Sequence, residues 1–244
     1  MLLALFLIDL AAGQYVFLPL VGRRNAGVKF YRLILIISAA LAACAAGAHW
    51  LGRRRDLALT DAATLVLTGI VFLVLRYPKR LVYKVAVSVL GIAYVGAGVL
   101  AFDAAMKPSH FGWSVAGALA SIALLGSVTL AMTLGHWYLV VRGMPIDPLK
   151  RLTVATLAAA IVRVIVVGAA LAAGAHALAL RDVFFWMRAG WGLLGPLFLY
   201  PLVWGTVRLR STMAATGILY VDVVAVVIGE VLGGWLAATV HLPI

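Results

Sequence analysis

Apolar residues run along this chain in eight stretches separated by short polar breaks, at approximately 2–21, 32–51, 58–76, 82–103, 112–141, 152–178, 183–206 and 212–237. Each approaches the roughly 20 residues that an α-helix needs to cross the hydrocarbon core of a bilayer. The pattern predicts an all-α, polytopic bundle of about eight transmembrane spans, the third being the shortest and the fifth long enough to tilt or protrude. The run from Met1 to Leu20 has no basic segment before it and is followed by Arg23 and Arg24, so it reads as the first span and not as a signal peptide.

The polar breaks orient the bundle. Loops one, three, five and seven carry Arg23, Arg24, Lys29 and Arg32, then Arg76, Lys79, Arg80 and Lys84, then Arg142, Lys150 and Arg151, then Arg208 and Arg210. The rule that short cytoplasmic loops are basic puts these four loops inside a bacterial-type inner membrane and both termini outside. Arg53, Arg54 and Arg55 in the second loop oppose this orientation, with Asp56 partly offsetting them. Trp50, Trp113, Trp186 and Trp235 fall near outer ends and Trp137 and Trp204 near inner ends, as interfacial aromatic belts require.

Composition sharpens the picture. Hydrophobic residues make up 65% and charged residues 11% of 244 positions, which excludes a soluble globular chain. No polar stretch has room for a separate catalytic, nucleotide-binding or haem-binding domain, so any chemistry lies within the membrane or at its edge. The net charge of +12 sits in loops and reads as a topology signal, with no nucleic acid partner expected. Cys44, the single cysteine, lies among alanines, which leaves no disulfide within one chain.

The two halves of the chain resemble each other. Ala45-Ala46-Gly47-Ala48-His49 corresponds to Ala172-Ala173-Gly174-Ala175-His176, Gly91-Ile92-Ala93-Tyr94-Val95 to Gly217-Ile218-Leu219-Tyr220-Val221, and Gly13-Gln14-Tyr15 to Gly135-His136-Trp137, all in order. The expectation is a duplication, with residues 1–106 and 107–244 as two parallel four-helix repeats and a site at their interface. Gly91, Gly96 and Gly98 in the fourth span and Gly229, Gly233 and Gly234 in the eighth permit close packing. Gly190, Gly192, Gly195 and Pro196 should bend the seventh.

Candidate chemistry begins with charges inside spans, each costing about 3 kcal/mol on insertion scales and marking function by default. Asp9, Arg163, Arg188, Asp222 and Glu230 qualify as proton or ion-pair residues. At about 1.5 Å per residue, Arg163 and Asp222 both come on the order of 15 Å from the cytoplasmic side, and Arg188 and Glu230 both come to the outer third. Two depth-matched pairs, Arg163 with Asp222 and Arg188 with Glu230, are expected, either fixing helix register or serving proton chemistry. Glu230 is the candidate proton carrier, a role that pairing with Arg188 would oppose. The first half lacks these charges at its equivalent positions.

A second candidate face holds Thr129, Thr133 and His136 at helical spacing, followed by Tyr138; it suits a quinone headgroup and equally an interfacial anchor. His49, His110, His176 and His241 share the outer side but lack ligand spacing, so no metal site is assigned. The symmetry admits a haem between His49 and His176, disfavoured because both sit at helix ends. These residues leave the cofactor open, with quinone as the candidate and haem disfavoured.

Two four-helix halves without a soluble domain are similar in plan to the quinol-oxidising membrane subunits of polysulfide-reductase-like enzymes, a resemblance of topology with no shared motif. It implies a membrane subunit of a quinone- or proton-handling redox assembly, with other membrane or periplasmic subunits as partners. The alternative is a small secondary transporter with its site between the repeats. A lipid-modifying enzyme ranks lowest, because no nucleophile, metal or diphosphate-binding constellation is present.

Overall fold

The computed structural model describes residues 1–75, 80–107, 110–141, 143–175 and 182–244. Arg76, Lys79, Arg142 and His176, named above, lie outside the described residues. Among the described residues all regular elements are helical, and eight helices are long and apolar enough to cross a membrane. They are α1 (Leu2–Val21), α2 (Arg23–Leu51), α3 (Arg55–Val74), α4 (Arg80–Met106), α5 (Phe111–Val140), α6 (Asp147–Ala170), α7 (Val183–Arg208) and α8 (Thr212–Val240).

Two of these starts differ from the hydropathy pattern. The helical backbone of α2 begins at Arg23 and that of α6 at Asp147, with Pro148 in its first turn. Backbone hydrogen bonding does not stop where apolar side chains do, so basic interfacial turns remain helical beyond the hydrocarbon boundary. In α2 the short first turn is set off by Gly27, whose φ of 78° is open to glycine and costly for other residues.

Helices α1 to α4 close into a ring in which α1 touches α2 and α4, and α3 touches both α2 and α4. Helices α5 to α8 close in the same neighbour order. The two rings meet chiefly through α1 and α5, the two most buried helices. Their backbones touch where Gly13 meets Gly126: a Cβ on Gly126 would lie 2.2 Å from the Cα of Gly13. No other residue type permits this approach.

The bend expected in the seventh span is a π-helical turn, Arg188–Leu194, inside α7. Pro196 has no N–H to donate back up the helix, and the glycines before it tolerate the wider winding. Gly192 there meets Gly229 of α8 so closely that a Cβ would fall 2.4 Å from the Gly229 Cα. Outward faces carry a continuous apolar skin including Ile92, Ile165, Phe198 and Val224. Such a surface is tolerable only in lipid.

Candidate functional site

Three helices of the second ring bring charge to one point. Arg163 of α6 grips Glu230 of α8 with two hydrogen bonds, Nε to Oε1 at 2.9 Å and Nη2 to Oε2 at 2.8 Å. Arg188, at the start of the π-turn in α7, approaches the same carboxylate, with Nη2 3.6 Å from Oε1. Its Nη1 donates to the Gly229 carbonyl at 3.4 Å. Arg188 has no solvent-exposed surface, and it fits because residue 233 is glycine: a Cβ there would overlap the guanidinium.

The depth-matched pairing is thus half corrected. Arg188 does meet Glu230, but Arg163 binds Glu230 and not Asp222. Glu230 lies eight residues beyond Asp222 on α8, roughly 12 Å along the axis. Helix α6 begins at Asp147 and not at residue 152, so Arg163 lies roughly 24 Å from its start and Glu230 roughly 27 Å from the start of α8; the two are matched in depth once the interfacial turn of α6 is counted. Asp222 lines a separate small hollow with Thr153, Thr156 and Tyr200, and its Oδ1 is buried without a hydrogen-bond partner among the described residues.

Asp9 joins the arginines from the first ring. It lies on α1, packed over Gly98 of α4, where a Cβ would come within 2.7 Å of Asp9 Oδ1. Asp9, Ser121, Arg163 and Glu230 line one cavity of about 440 Å³. Its remaining walls are almost wholly apolar, with Leu5, Phe6 and Phe102 among them. Leu3, Val231 and Trp235 also line it and are 63%, 51% and 43% exposed, so the cavity opens sideways between α1 and α8. Two buried polar atoms of these lining residues have no hydrogen-bond partner among the described residues: Arg163 Nη1, a donor, and Asp9 Oδ1, an acceptor. Orphaned buried polar atoms are rare and call for a ligand, water or ion.

The other candidate face is not gathered in this way. Thr129 and Thr133 spend their hydroxyl protons on carbonyls of their own helix, Leu125 at 2.6 Å and Thr129 at 2.8 Å. Tyr138 donates to the Pro145 carbonyl, and His136 is exposed with Nδ1 3.4 Å from the Tyr220 hydroxyl. Of the outer histidines, His241 Nδ1 donates to the Met106 carbonyl at 2.6 Å. No cluster of three metal-ligating side chains occurs among the described residues.

A polar interior in the first ring escaped the sequence reading. His49 Nδ1 and Asp61 Oδ2 are 2.7 Å apart and fully buried. Below them the Thr68 and Tyr94 hydroxyls meet at 2.9 Å, Tyr94 lies against Tyr15 with ring centroids 5.0 Å apart, and Ser38 donates to Gln14 at 3.3 Å. Asp61, a carboxylate inside an apolar run, was the available signal. The repeat also reads differently in three dimensions: Gly91 and Tyr94 are buried while Gly217 and Tyr220 are exposed, so these matched segments do not share an environment.

Helix content, apolar skin and internally paired charges define a multi-pass integral membrane protein embedded in a lipid bilayer. Comparison with protein-family models, with curated protein sequences and with solved structures gives no match.

Proposed function

We propose that this protein is a membrane subunit of a quinone-handling redox assembly, and that a membrane-dissolved quinone seats its headgroup at the inner end of the α1–α8 cavity. One observation carries the reading: an orphan donor, Arg163 Nη1, and an orphan acceptor, Asp9 Oδ1, belong to residues lining one apolar cavity that opens sideways. A quinone offers a carbonyl oxygen to the first, a quinol a hydroxyl to the second, and an apolar tail to the lateral mouth. Asp9 is the candidate acceptor for one of the two protons that a quinol releases, the other passing to water, when it gives two electrons to the redox centre of a partner subunit. Glu230, held by both arginines, serves to keep them in place.

Two coarser inferences accompany this one. The concentration of bases at the end where α1 stops and α2 starts favours that end as cytoplasmic, with both termini outside an inner membrane. The shared neighbour order of the two rings favours descent from a four-helix ancestor, although the local sequence matches do not superpose in environment.

The test is extraction of the purified protein and identification of bound quinone by mass spectrometry, followed by titration with a short-tailed quinone under tryptophan fluorescence. Asp9→Asn keeps the shape of the side chain and removes its charge. Loss of a hydrogen bond to a charged group, worth about 1.5–3 kcal/mol, should weaken binding about tenfold or more. Absence of co-purifying quinone together with no saturable quenching refutes the proposal. Solute uptake by proteoliposomes containing this chain alone would favour the transporter instead.

A further inference from the structure

We infer a second binding site, for a phosphate-bearing anion, at the opposite end of the molecule and independent of the quinone reading. A hollow of about 570 Å³ lies where α1 ends and α2, α4 and α6 begin. Four bases from three helices line it: Arg23 and Arg24 of α2, Lys84 of α4 and Arg151 of α6, with no carboxylate lining it among the described residues.

Part of its wall is built and held. Arg23 Nη2 donates to the Leu75 carbonyl at 3.3 Å, and its guanidinium lies 4.9 Å from the centre of the Tyr83 ring. Tyr83 meets Tyr31 edge to face at 6.1 Å, and the Tyr31 hydroxyl donates to the Leu18 carbonyl at 3.2 Å. Arg24, Lys84 and Arg151 are exposed, and none takes part in the ion pairs found among the described residues.

Orientation in the membrane requires only that bases be present in the loops; it does not require them to converge on one hollow. Convergence carries a repulsive cost, since like charges raise the local potential until an anion neutralises them. Phosphate, with several acceptor oxygens, matches a mixed set of guanidinium and ammonium donors. The source is a lipid headgroup or a free phosphate compound. Leu81 and Val85, 73% and 53% exposed beside Lys84 on α4, offer apolar surface for a lipid's acyl chain.

Native mass spectrometry of the full chain released from phosphatidylcholine nanodiscs containing phosphatidylglycerol tests the site, with inorganic pyrophosphate as the soluble competitor. The wild type should retain phosphatidylglycerol over phosphatidylcholine. The Lys84→Gln, Arg151→Gln double variant should lose that preference about thirtyfold, because each of the two lost bases near an anionic headgroup contributes about 1 kcal/mol. The charge-preserving Lys84→Arg, Arg151→Lys variant should keep it, which separates lost charge from lost folding. Retention that pyrophosphate does not displace identifies the lipid as ligand. Displacement by pyrophosphate that itself binds, and binds more weakly to the double Gln variant, identifies a soluble phosphate compound. Equal retention of the two lipids with no pyrophosphate binding, or a preference unchanged in the double Gln variant, overturns the site.

Discussion

Replacing Glu230 by Gln tests the central electrostatic claim, because this one carboxylate is the anion contacting both Arg163 and Arg188. The Arg163–Glu230 pair has side chains only 3% exposed and bonds at 2.8 and 2.9 Å. Removing one partner of such a buried pair typically costs about 3–5 kcal/mol, since the remaining ion keeps its desolvation penalty without its counterion. Two cations are stranded here, and Arg188 keeps only its 3.4 Å bond to the Gly229 carbonyl, so the upper part of that range applies. For a chain of this length about 5 kcal/mol corresponds to a drop of roughly 10–20 °C in the midpoint of thermal unfolding. The assay is thermal unfolding of detergent-purified protein, with monodispersity as readout. Adding Arg163→Met to Glu230→Gln should restore part of the loss, and adding Arg188→Met a further part, because removing the carboxylate together with both guanidiniums is far milder than stranding the two cations. An unchanged midpoint for Glu230→Gln, or no recovery in the triple variant, would refute the reasoning.

Asp222→Asn should move the same midpoint by less than the equivalent of about 0.5 kcal/mol, or raise it, since Asp222 Oδ1 has no partner to lose; a fall as large as that of Glu230→Gln would reveal a missed partner. Gly126→Val should abolish recovery of folded protein, because its side chain would enter the backbone of Gly13. Gly47→Ala, which meets nothing within 4 Å, should be tolerated in the same expression trial. Asp61→Ala should cost about 3 kcal/mol by breaking its buried contact with His49, and His49→Ala combined with it should add little in a double-mutant cycle.

The number of spans, most of their limits and the bend in α7 were legible in the linear chain, because each depends on local properties; the basic first turns of α2 and α6 were not, since the apolar pattern stops before the helix does. Twenty apolar residues have to bury their backbone polar groups in a helix whatever surrounds them, and Gly190 to Pro196 distorts that helix by its own geometry. The membrane cost of a lone charge likewise marked Asp9, Arg163, Arg188, Asp222 and Glu230 without reference to their partners. Partner choice was a different matter. It turned on which helix faces meet and how far each side chain reaches, and here three glycines decide it. Gly233 opens the space that Arg188 fills, Gly98 admits Asp9, and Gly13 lets α1 press against α5 so that Asp9 of one ring and Arg163 of the other line one cavity. A glycine in sequence says only that space is available. Which side chain enters it is fixed by residues on other helices, far away in sequence, and that information exists only once the helices are packed.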